Sequence, residues 1–166
     1  MHSELSQSEQ TLSSPTPDRL RAWRLYFESA LALMSVLDAE LERDAGIPMR
    51  SYDVLVHLED EPEGVRMNEL AERILYSKSG FTRVVDRLEA DGLVRRVRPE
   101  HDRRSIFVVL TDDGRAMLEQ ARSSHRHSIE QHFASHLSDT DVKALVRALE
   151  KLSAHVRPLR PGRIRG

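Results

Sequence analysis

The sequence of 166 residues contains no cysteine and only seven glycines. Without cysteine the chain cannot form disulfides, ligate zinc or an iron–sulfur cluster through thiolates, or sense oxidants by thiol oxidation. The glycines do not form a P-loop, a G-x-G-x-x-G fingerprint or a G-x-S-x-G elbow, and no zinc-hydrolase spacing is present. The sequence therefore predicts a protein that is not an enzyme and needs no cofactor or metal.

Long hydrophobic runs are also missing. The longest apolar stretches, at residues 30–34 and 107–110, are far shorter than the ~18 residues needed to span a bilayer. Residues 1–18 are rich in Ser, Thr, Gln and Pro and contain no apolar targeting segment. We therefore expect a cytoplasmic protein that does not bind membranes.

Neither sign of charge dominates the whole chain, in which 25 Lys and Arg residues face 27 Asp and Glu residues. The distribution along the chain is uneven. Residues 77–104 carry eight basic and five acidic side chains, a net charge of +3, whereas residues 38–64 carry two basic and nine acidic ones, a net charge of −7. This separation predicts a local basic patch on an otherwise acidic protein.

A regular apolar pattern predicts a first helix of about seven turns. It begins near Thr16 and ends where Gly46 and Pro48 terminate the helical pattern. The apolar positions recur at alternating intervals of three and four residues: Leu20, Trp23, Phe27, Ala30, Met34, Leu37 and Leu41. Because this helix is long for so small a chain, we expect a second subunit to cover part of it.

Three shorter helices are predicted after the first. Residues 48–58 form the second helix, and residues 69–74 and 78–90 show two further helical patterns in quick succession. Asn68 and Ser77 are the candidate N-caps of these last two. The fourth helix has the stronger amphipathic pattern.

After the fourth helix, the spacing of the apolar residues changes from the helical period of about 3.6 towards the strand period of two. Residues 93–98 and 105–110 predict two strands of a β-hairpin with a long charged tip. Two helices follow, the first capped by Thr111 and the second starting at the capping-box-like residues 138–141. The predicted fold class is mainly α with a small β-hairpin wing.

Two short helices with a hairpin directly behind the second are typical of a winged helix-turn-helix, whose second helix enters the major groove of DNA. The polar residues opposite the apolar face of this helix are Ser77, Lys78, Ser79, Thr82, Arg83, Asp86 and Arg87. Arg83 and Arg87 can each recognise guanine through a bidentate contact. A solvated face without a ligand is the alternative for these charges, and the hairpin behind them favours DNA binding.

At these residues the sequence resembles the MarR family of bacterial transcriptional regulators. The resemblance extends from about Trp23 to Leu152. Its most specific parts are MNELAERI (67–74), SKSGFTRVVDRLEADGLVRR (77–96) and DRRSIFVVLTDDG (102–114), the last of which fits the family's wing pattern.

The resemblance implies a ligand-responsive repressor that binds a pseudo-palindromic double-stranded DNA operator as an obligate homodimer. Ser77, Lys78, Ser79, Thr82 and Arg83 would belong to the recognition helix. Asp102 would hold the base of the wing, and Arg104 would enter the minor groove at its tip. With the neighbouring basic residues included, the predicted DNA-binding set is Ser77, Lys78, Ser79, Thr82, Arg83, Arg87, Asp102, Arg103 and Arg104.

The resemblance also implies a division of the chain into regions. Residues 18–46 and 112–156 would form a helical dimerisation region, and residues 47–111 the winged helix-turn-helix domain. Residues 1–17 and 157–166 are expected to be a disordered N-terminal tail and a basic flexible tail.

A small aromatic or phenolic effector is the ligand that the family resemblance suggests. The candidate pocket residues are Trp23, Phe27, Met34, Tyr52 and His57. Packing in the protein core is the alternative for these side chains, and burial statistics favour it.

Histidines offer a different interpretation. His125, His132 and His136 fall on one stripe of the predicted fifth helix, and His132 and His136, four residues apart, could chelate a metal. Two donors are too few for a complete site, so solvated histidines are the preferred interpretation and a metal-responsive regulator the alternative. A winged helix used only for protein interaction is a further alternative, which would not need the basic residues that this sequence keeps.

Overall fold

The computed structural model describes residues 14–74, 78–102 and 104–156. Over these residues the chain forms six α-helices and three β-strands: α1 Pro17–Ala45, α2 Met49–Leu58, β1 Val65–Arg66, α3 Met67–Arg73, α4 Lys78–Ala90, β2 Val94–Val97, β3 Phe107–Leu110, α5 Asp112–His132 and α6 Asp139–Val156. Short 3₁₀ turns lie at Glu100–Asp102 and Ala134–His136. The predicted tail at 157–166 and most of the one at 1–17 lie outside the described residues.

Helix α1 has the ends that the sequence predicts. The Thr16 hydroxyl accepts a hydrogen bond from the Arg19 N–H at 3.4 Å, and a proline occupies the first turn. At the other end Gly46 adopts a left-handed conformation with φ of 72°, and its N–H donates to the Glu42 carbonyl at 3.0 Å. The chain then turns into α2, whose first N–H, on Met49, is held by the Asp38 carboxylate of α1 at 2.7 Å.

The hydrophobic core lies between the last third of α1, helices α2 to α5 and the sheet. Its largest fully buried side chains are Leu41, Val54, Leu55, Leu58, Leu70, Val85, Leu88, Val94, Val108 and Leu118. Helix α5 packs along α1 and α2, so it joins the long helix to the compact part of the chain. In this part of the chain every described element therefore contributes to one continuous core.

The sheet has three antiparallel strands in the order β1-β3-β2, one more than predicted. Strand β1 pairs Val65 with Val108 across β3, while β2 pairs Val94 with Leu110. The predicted hairpin is present but shorter, because its tip contains the 3₁₀ turn. Two residues are too few to show a strand period, so no local pattern marks β1 in the sequence.

Helix α3 begins earlier than predicted. Arg66 occupies the N-cap position and makes no side-chain capping bond, so the predicted cap at Asn68 is wrong. The Met67 N–H donates instead to the Ile106 carbonyl at 2.9 Å. Strand β1 therefore leads directly into α3, and the pairing of β1 with β3 sets where the helix begins. The candidate cap of α4, Ser77, lies outside the described residues.

The last two helices have the predicted caps. The Thr111 hydroxyl accepts from the Gly114 N–H at 3.0 Å. In the capping box, the Asp141 N–H donates to the Ser138 hydroxyl at 3.3 Å, and the Ser138 N–H donates to the Asp141 carboxylate at 3.1 Å. Every helix in the described residues is too short or too polar to span a bilayer.

Candidate nucleic-acid interface

Helix α4 has one buried and one exposed face. Phe81, Val85 and Leu88 are buried against the core, in contact with α2 and β2. Thr82, Arg83, Asp86 and Arg87 are exposed on the other side. This division follows from the i, i+4, i+7 spacing of the apolar residues, and it gives α4 an outward surface rich in hydrogen-bond donors.

The predicted DNA-binding residues on α4 differ in the ion pairs that they make. Arg83 is exposed and makes no ion pair with any described residue. The Arg87 guanidinium lies 3.8 Å from the Asp91 carboxylate, a pair on the same helix with both side chains more than half exposed. Such a pair contributes little stability. Ser77 and the side chains of Lys78 and Ser79 lie outside the described part.

The hairpin of β2 and β3 projects beside α4. Asp102 lies in the 3₁₀ turn at its tip, where its carboxylate accepts from the Ser105 N–H at 3.2 Å and pairs with the Arg66 guanidinium at 2.8 Å. Hydrogen bonding by Ser105, together with the charge of Arg66, lowers the pKa of Asp102 below its ordinary value. The carboxylate therefore stays ionised at neutral pH and ties the tip back to β1.

Two arginines were predicted at this tip. Arg104 is exposed, and its guanidinium makes no ion pair with a described residue. Arg103 lies outside the described residues. Arg95 and Arg98 on the strand side of the hairpin are exposed as well. The described part of the wing therefore presents three exposed arginines, Arg95, Arg98 and Arg104.

Arg66 is a site residue that the sequence interpretation missed. Besides pairing with Asp102, its guanidinium carbon lies 5.6 Å from the centroid of the Phe107 ring, a cation–π contact. It sits on β1, the strand that the sequence did not predict. The sequence could have indicated Arg66 only through a search for the basic residue that pairs with Asp102.

Histidine geometry corrects one prediction. Helix α5 ends at His132, and His136 lies in the separate 3₁₀ turn, so the two do not share a helix face. The His132 ring is 2.8 Å from the Glu40 carboxylate of α1, which also accepts from the Ser128 hydroxyl at 2.5 Å. His132 therefore links α5 to α1. Among the described residues no group of three or more metal-ligating side chains could hold an ion.

The predicted pocket residues lie in different surroundings. Trp23 and Phe27 stack with ring centroids 5.6 Å apart on α1, and Trp23 is 59% exposed. Tyr52 instead tilts against His125 of α5 at 5.2 Å, and the His57 ring meets the Asp53 carbonyl of its own helix at 2.9 Å. The structure thus brings only Trp23 and Phe27 together. Met34 is exposed on α1.

A cavity of about 510 Å³ lies at a different place, between the start of α3 and the wing. Its polar lining residues are Arg66, Asn68, Glu69, Glu72, Arg104 and Ser105. The two arginines face two glutamates there, so the cavity has no net charge that favours an anion.

Exposed apolar side chains concentrate on residues 20–36 of α1 and on α6. They are Leu20, Trp23, Leu25, Tyr26, Phe27, Leu31, Met34 and Val36 on α1, and Val142, Val146, Leu152 and Val156 on α6. This is far more apolar surface than single exposed residues would give.

Comparison with known proteins places these features in a family. The family model described as "MarR family" matches residues 45–105, which include α2, α3, α4 and the first strand of the wing, β2. The crystal structure of AbsC, a MarR family regulator from Streptomyces coelicolor, is 33% identical, with a TM-score of 0.78 over 87% of this chain and 98% of that one. The chain belongs to the MarR family.

Other MarR proteins extend the comparison. Sco3205 from Streptomyces coelicolor, solved in complex with DNA, is also 33% identical with a TM-score of 0.78, over 90% of this chain and 96% of that one. PecS from Dickeya dadantii is 31% identical over 61% of this chain, a match that spans only 64% of PecS. These relatives are named as transcriptional regulators and not as enzymes. The chain is therefore a DNA-binding transcriptional regulator with a winged-helix fold.

Proposed function

We propose that this chain is a homodimeric, sequence-specific repressor that places α4 in the major groove of double-stranded DNA and its wing in the adjacent minor groove. The observation that carries the proposal is that Arg83 on α4 and Arg104 on the wing are both exposed and make no ion pair with a described residue. The DNA complex of Sco3205, at 33% identity, supports it. In this assignment residues 47–111 bind DNA.

The residues have different roles in this proposal. Arg83 and Thr82 contact base edges, since α4 presents them away from the core. Arg87 and the first turn of α4, with Ser77, Lys78 and Ser79, contact phosphates or bases beside them. Arg104 and Arg103 approach the minor groove, where groove width matters more than base identity. Asp102 fixes the tip through Arg66.

The exposed apolar surfaces of α1 and α6 support the homodimer. A second copy would cover them, so residues 18–46 and 112–156 form the dimerisation region in this proposal. Two recognition helices then read half-sites about one helical turn apart on a pseudo-palindromic operator. Sedimentation equilibrium is expected to give a dimer, and Trp23→Glu to shift it towards monomer. A wild-type monomer at micromolar concentration would contradict this assignment.

DNA binding is tested by selecting from a random DNA pool and then measuring anisotropy of a labelled duplex at several salt concentrations. The logarithm of affinity should fall linearly with the logarithm of salt, by about 0.9 for each phosphate contact. Arg104→Ala should weaken binding to all sequences, whereas Arg83→Ala should also relax base preference. Arg126→Ala, an exposed charge on α5, is the matched control. A protein that selects no sequence and shows a flat salt dependence would be an interaction module instead.

Repression and its release by a small aromatic or phenolic ligand are the finer part of the proposal. A relative named "homoprotocatechuate degradative operon repressor" from Escherichia coli is 29% identical over 46% of this chain. Among MarR fold neighbours, RdhR-CbdbA1625 was solved with 2,4-dichlorophenol and CouR from Rhodococcus jostii with p-coumaroyl-CoA. The candidate residues remain Trp23, Phe27, Met34, Tyr52 and His57.

Release is tested with 2,4-dichlorophenol and salicylate as probes. A saturating effector should weaken operator binding by about 5- to 150-fold. Because Trp23 is the single tryptophan of the chain, its fluorescence reports binding near α1 directly. Unchanged fluorescence and unchanged operator affinity with both probes would exclude this class of effector, while leaving DNA binding intact. Transcription from the selected operator in vitro distinguishes repression from activation.

A further inference from the structure

Arg96 on β2 makes a cluster of contacts with α4 that DNA binding as described does not use. Its guanidinium donates to the Asp86 carboxylate at 2.6 Å and to one oxygen of the Glu89 carboxylate. The Arg96 backbone N–H donates to the other Glu89 oxygen at 2.8 Å. We call these three residues the Arg96 clamp. Its side chains connect the recognition helix to the wing at one place.

The backbone contact has a structural cause. Strand β2 pairs only with β3 and so forms an edge of the sheet in the described residues, with outward N–H groups that lack a strand partner. Glu89 supplies the missing acceptor for Arg96. A single glutamate thus holds both the main chain and the side chain of one wing residue, so rotation of that side chain alone does not release the strand.

The two carboxylates are placed for this role by helical spacing. Asp86 and Glu89 are three residues apart on α4 and therefore face the same neighbour. The Arg96 side chain is 23% exposed, whereas that of Asp86 is 57% exposed. Arg96 therefore neutralises a carboxylate that lies beside Arg83 and Arg87 and would otherwise repel phosphates.

We propose that Arg96 is a positioning residue that fixes the distance between α4 and the wing, so that helix and wing reach their two grooves at the same time. This inference rests on the proposed DNA-binding function and deepens it. When α4 and the wing are held rigidly, binding of one of them to DNA already orients the other. The second contact then needs no further loss of orientational entropy. Arg96 itself does not contact DNA.

Glu89→Gln gives the sharpest test, since two explanations predict opposite signs. Removing a negative charge near DNA should tighten binding if only long-range electrostatics matters. Glutamine has one acceptor oxygen in place of two, so it can keep either the backbone or the guanidinium contact but not both, and its NH₂ group faces the donor that is left over. We expect operator affinity to fall about tenfold, within the range found for residues in one hydrogen-bonded network. The salt slope should also decrease by about 0.9 for each phosphate that the variant no longer neutralises.

Two further variants separate geometry from charge. Arg96→Lys keeps the charge but cannot bridge both carboxylates and should also bind the operator more weakly. Arg95→Gln removes a neighbouring exposed positive charge that has no partner among the described residues, so it measures what the loss of one positive charge on the wing does while the clamp stays intact. All affinities are measured well below the unfolding midpoint of each variant. If Glu89→Gln binds as tightly as the wild type or more tightly, the positioning role is refuted.

A measurement without DNA keeps this inference distinct from the proposed function. Glu89→Gln, Arg96→Gln and the double variant form a thermodynamic cycle in urea unfolding, and their effects should be non-additive. Additive effects would show that the clamp does not exist in solution. If the wild type binds no DNA, the proposed function fails and the positioning role fails with it. The cycle then still shows whether the clamp persists as a contact that only stabilises the fold.

Discussion

The substitution Gly114→Ala is predicted to have two opposing effects on stability, because helix propensity favours alanine and tertiary packing at this position disfavours it. Gly114 lies in the first turn of α5, where its backbone conformation is ordinary, so glycine is not needed for φ. A Cβ at this position would lie 2.0 Å from the Leu93 carbonyl oxygen and 2.7 Å from a methyl carbon of Leu110. Glycine is therefore required by space at the contact between α5 and the start of β2.

The magnitude follows from what would have to move. Real Cβ atoms do not approach other heavy atoms more closely than 3.0 Å, so Gly114→Ala requires a shift of about 1 Å. The Leu93 carbonyl cannot easily supply it, because it also accepts the Thr111 N–H at 3.1 Å. Overpacking of this kind costs about 1–3 kcal/mol, against a gain in helix propensity of up to about 1 kcal/mol for alanine. We expect a net loss of about 1–2 kcal/mol in the free energy of unfolding.

Urea unfolding followed by circular dichroism at 222 nm measures this loss, at one fixed protein concentration because dimerisation contributes to stability. Gly46→Ala is the matched control: its φ is 72° and no atom lies within 4 Å of the added Cβ. It should cost about 1 kcal/mol through backbone conformation alone. If Gly114→Ala is as stable as the wild type or more stable, the close approach of α5 to β2 is wrong.

Three further predictions concern caps and titratable groups. Thr111→Ala removes both the acceptor for Gly114 and a 2.7 Å hydrogen bond to the Gly92 carbonyl, and should lower the unfolding free energy by about 1–2 kcal/mol in urea, whereas Thr111→Ser should largely restore it. Hydrogen bonds from Ser128 and His132 lower the pKa of Glu40, so its stabilisation is present above the unfolded pKa and is lost as the pH falls through the folded one. Glu40→Gln should flatten the acid limb of a stability–pH curve below about pH 4.5, and an unchanged limb would contradict this. Burial lowers the pKa of His125, so protonation favours the unfolded chain and stability falls as the pH drops below 6.5. His125→Leu should reduce this fall in thermal-melt series between pH 7.5 and 6, while the exposed His155→Gln should not.

The ends of α1 and the starts of α5 and α6 were predictable because their signals are local, whereas the cap predicted at Asn68 for α3 was wrong. Thr16, Gly46, Thr111 and Ser138 act within one turn of themselves, and their hydrogen bonds lie where the sequence places them. The apolar spacing of α4 likewise determines which side is buried, and so it indicates that Arg83 is exposed. These parts of the fold and of the candidate site need no knowledge of distant residues.

What failed depended on contacts far apart in sequence. Strand β1 exists because Val65 pairs with Val108, and the two residues of β1 carry no period of their own. The helical continuity expected between His132 and His136 was wrong, since α5 ends at His132, which pairs with Glu40 of α1. Arg66 and the Arg96 clamp also escaped notice. The sequence shows which residues are charged but not which of them form ion pairs. The ion pairs of Arg66 and Arg96 each join different elements of the fold.

The order of strands in the sheet has a consequence for how the chain folds. Strand β3 is the last of the three to be synthesised, yet it lies in the centre, and in the described residues the other two strands pair only with it. The helix-turn-helix therefore cannot be closed by its wing until residue 110 is available. Helix α1 is packed later still, because its main packing partner, α5, follows β3 in the chain. Topologies rich in such distant contacts fold slowly. We expect nascent chains that end before residue 110 to lack the sheet, which makes folding of the DNA-reading half a late event in synthesis.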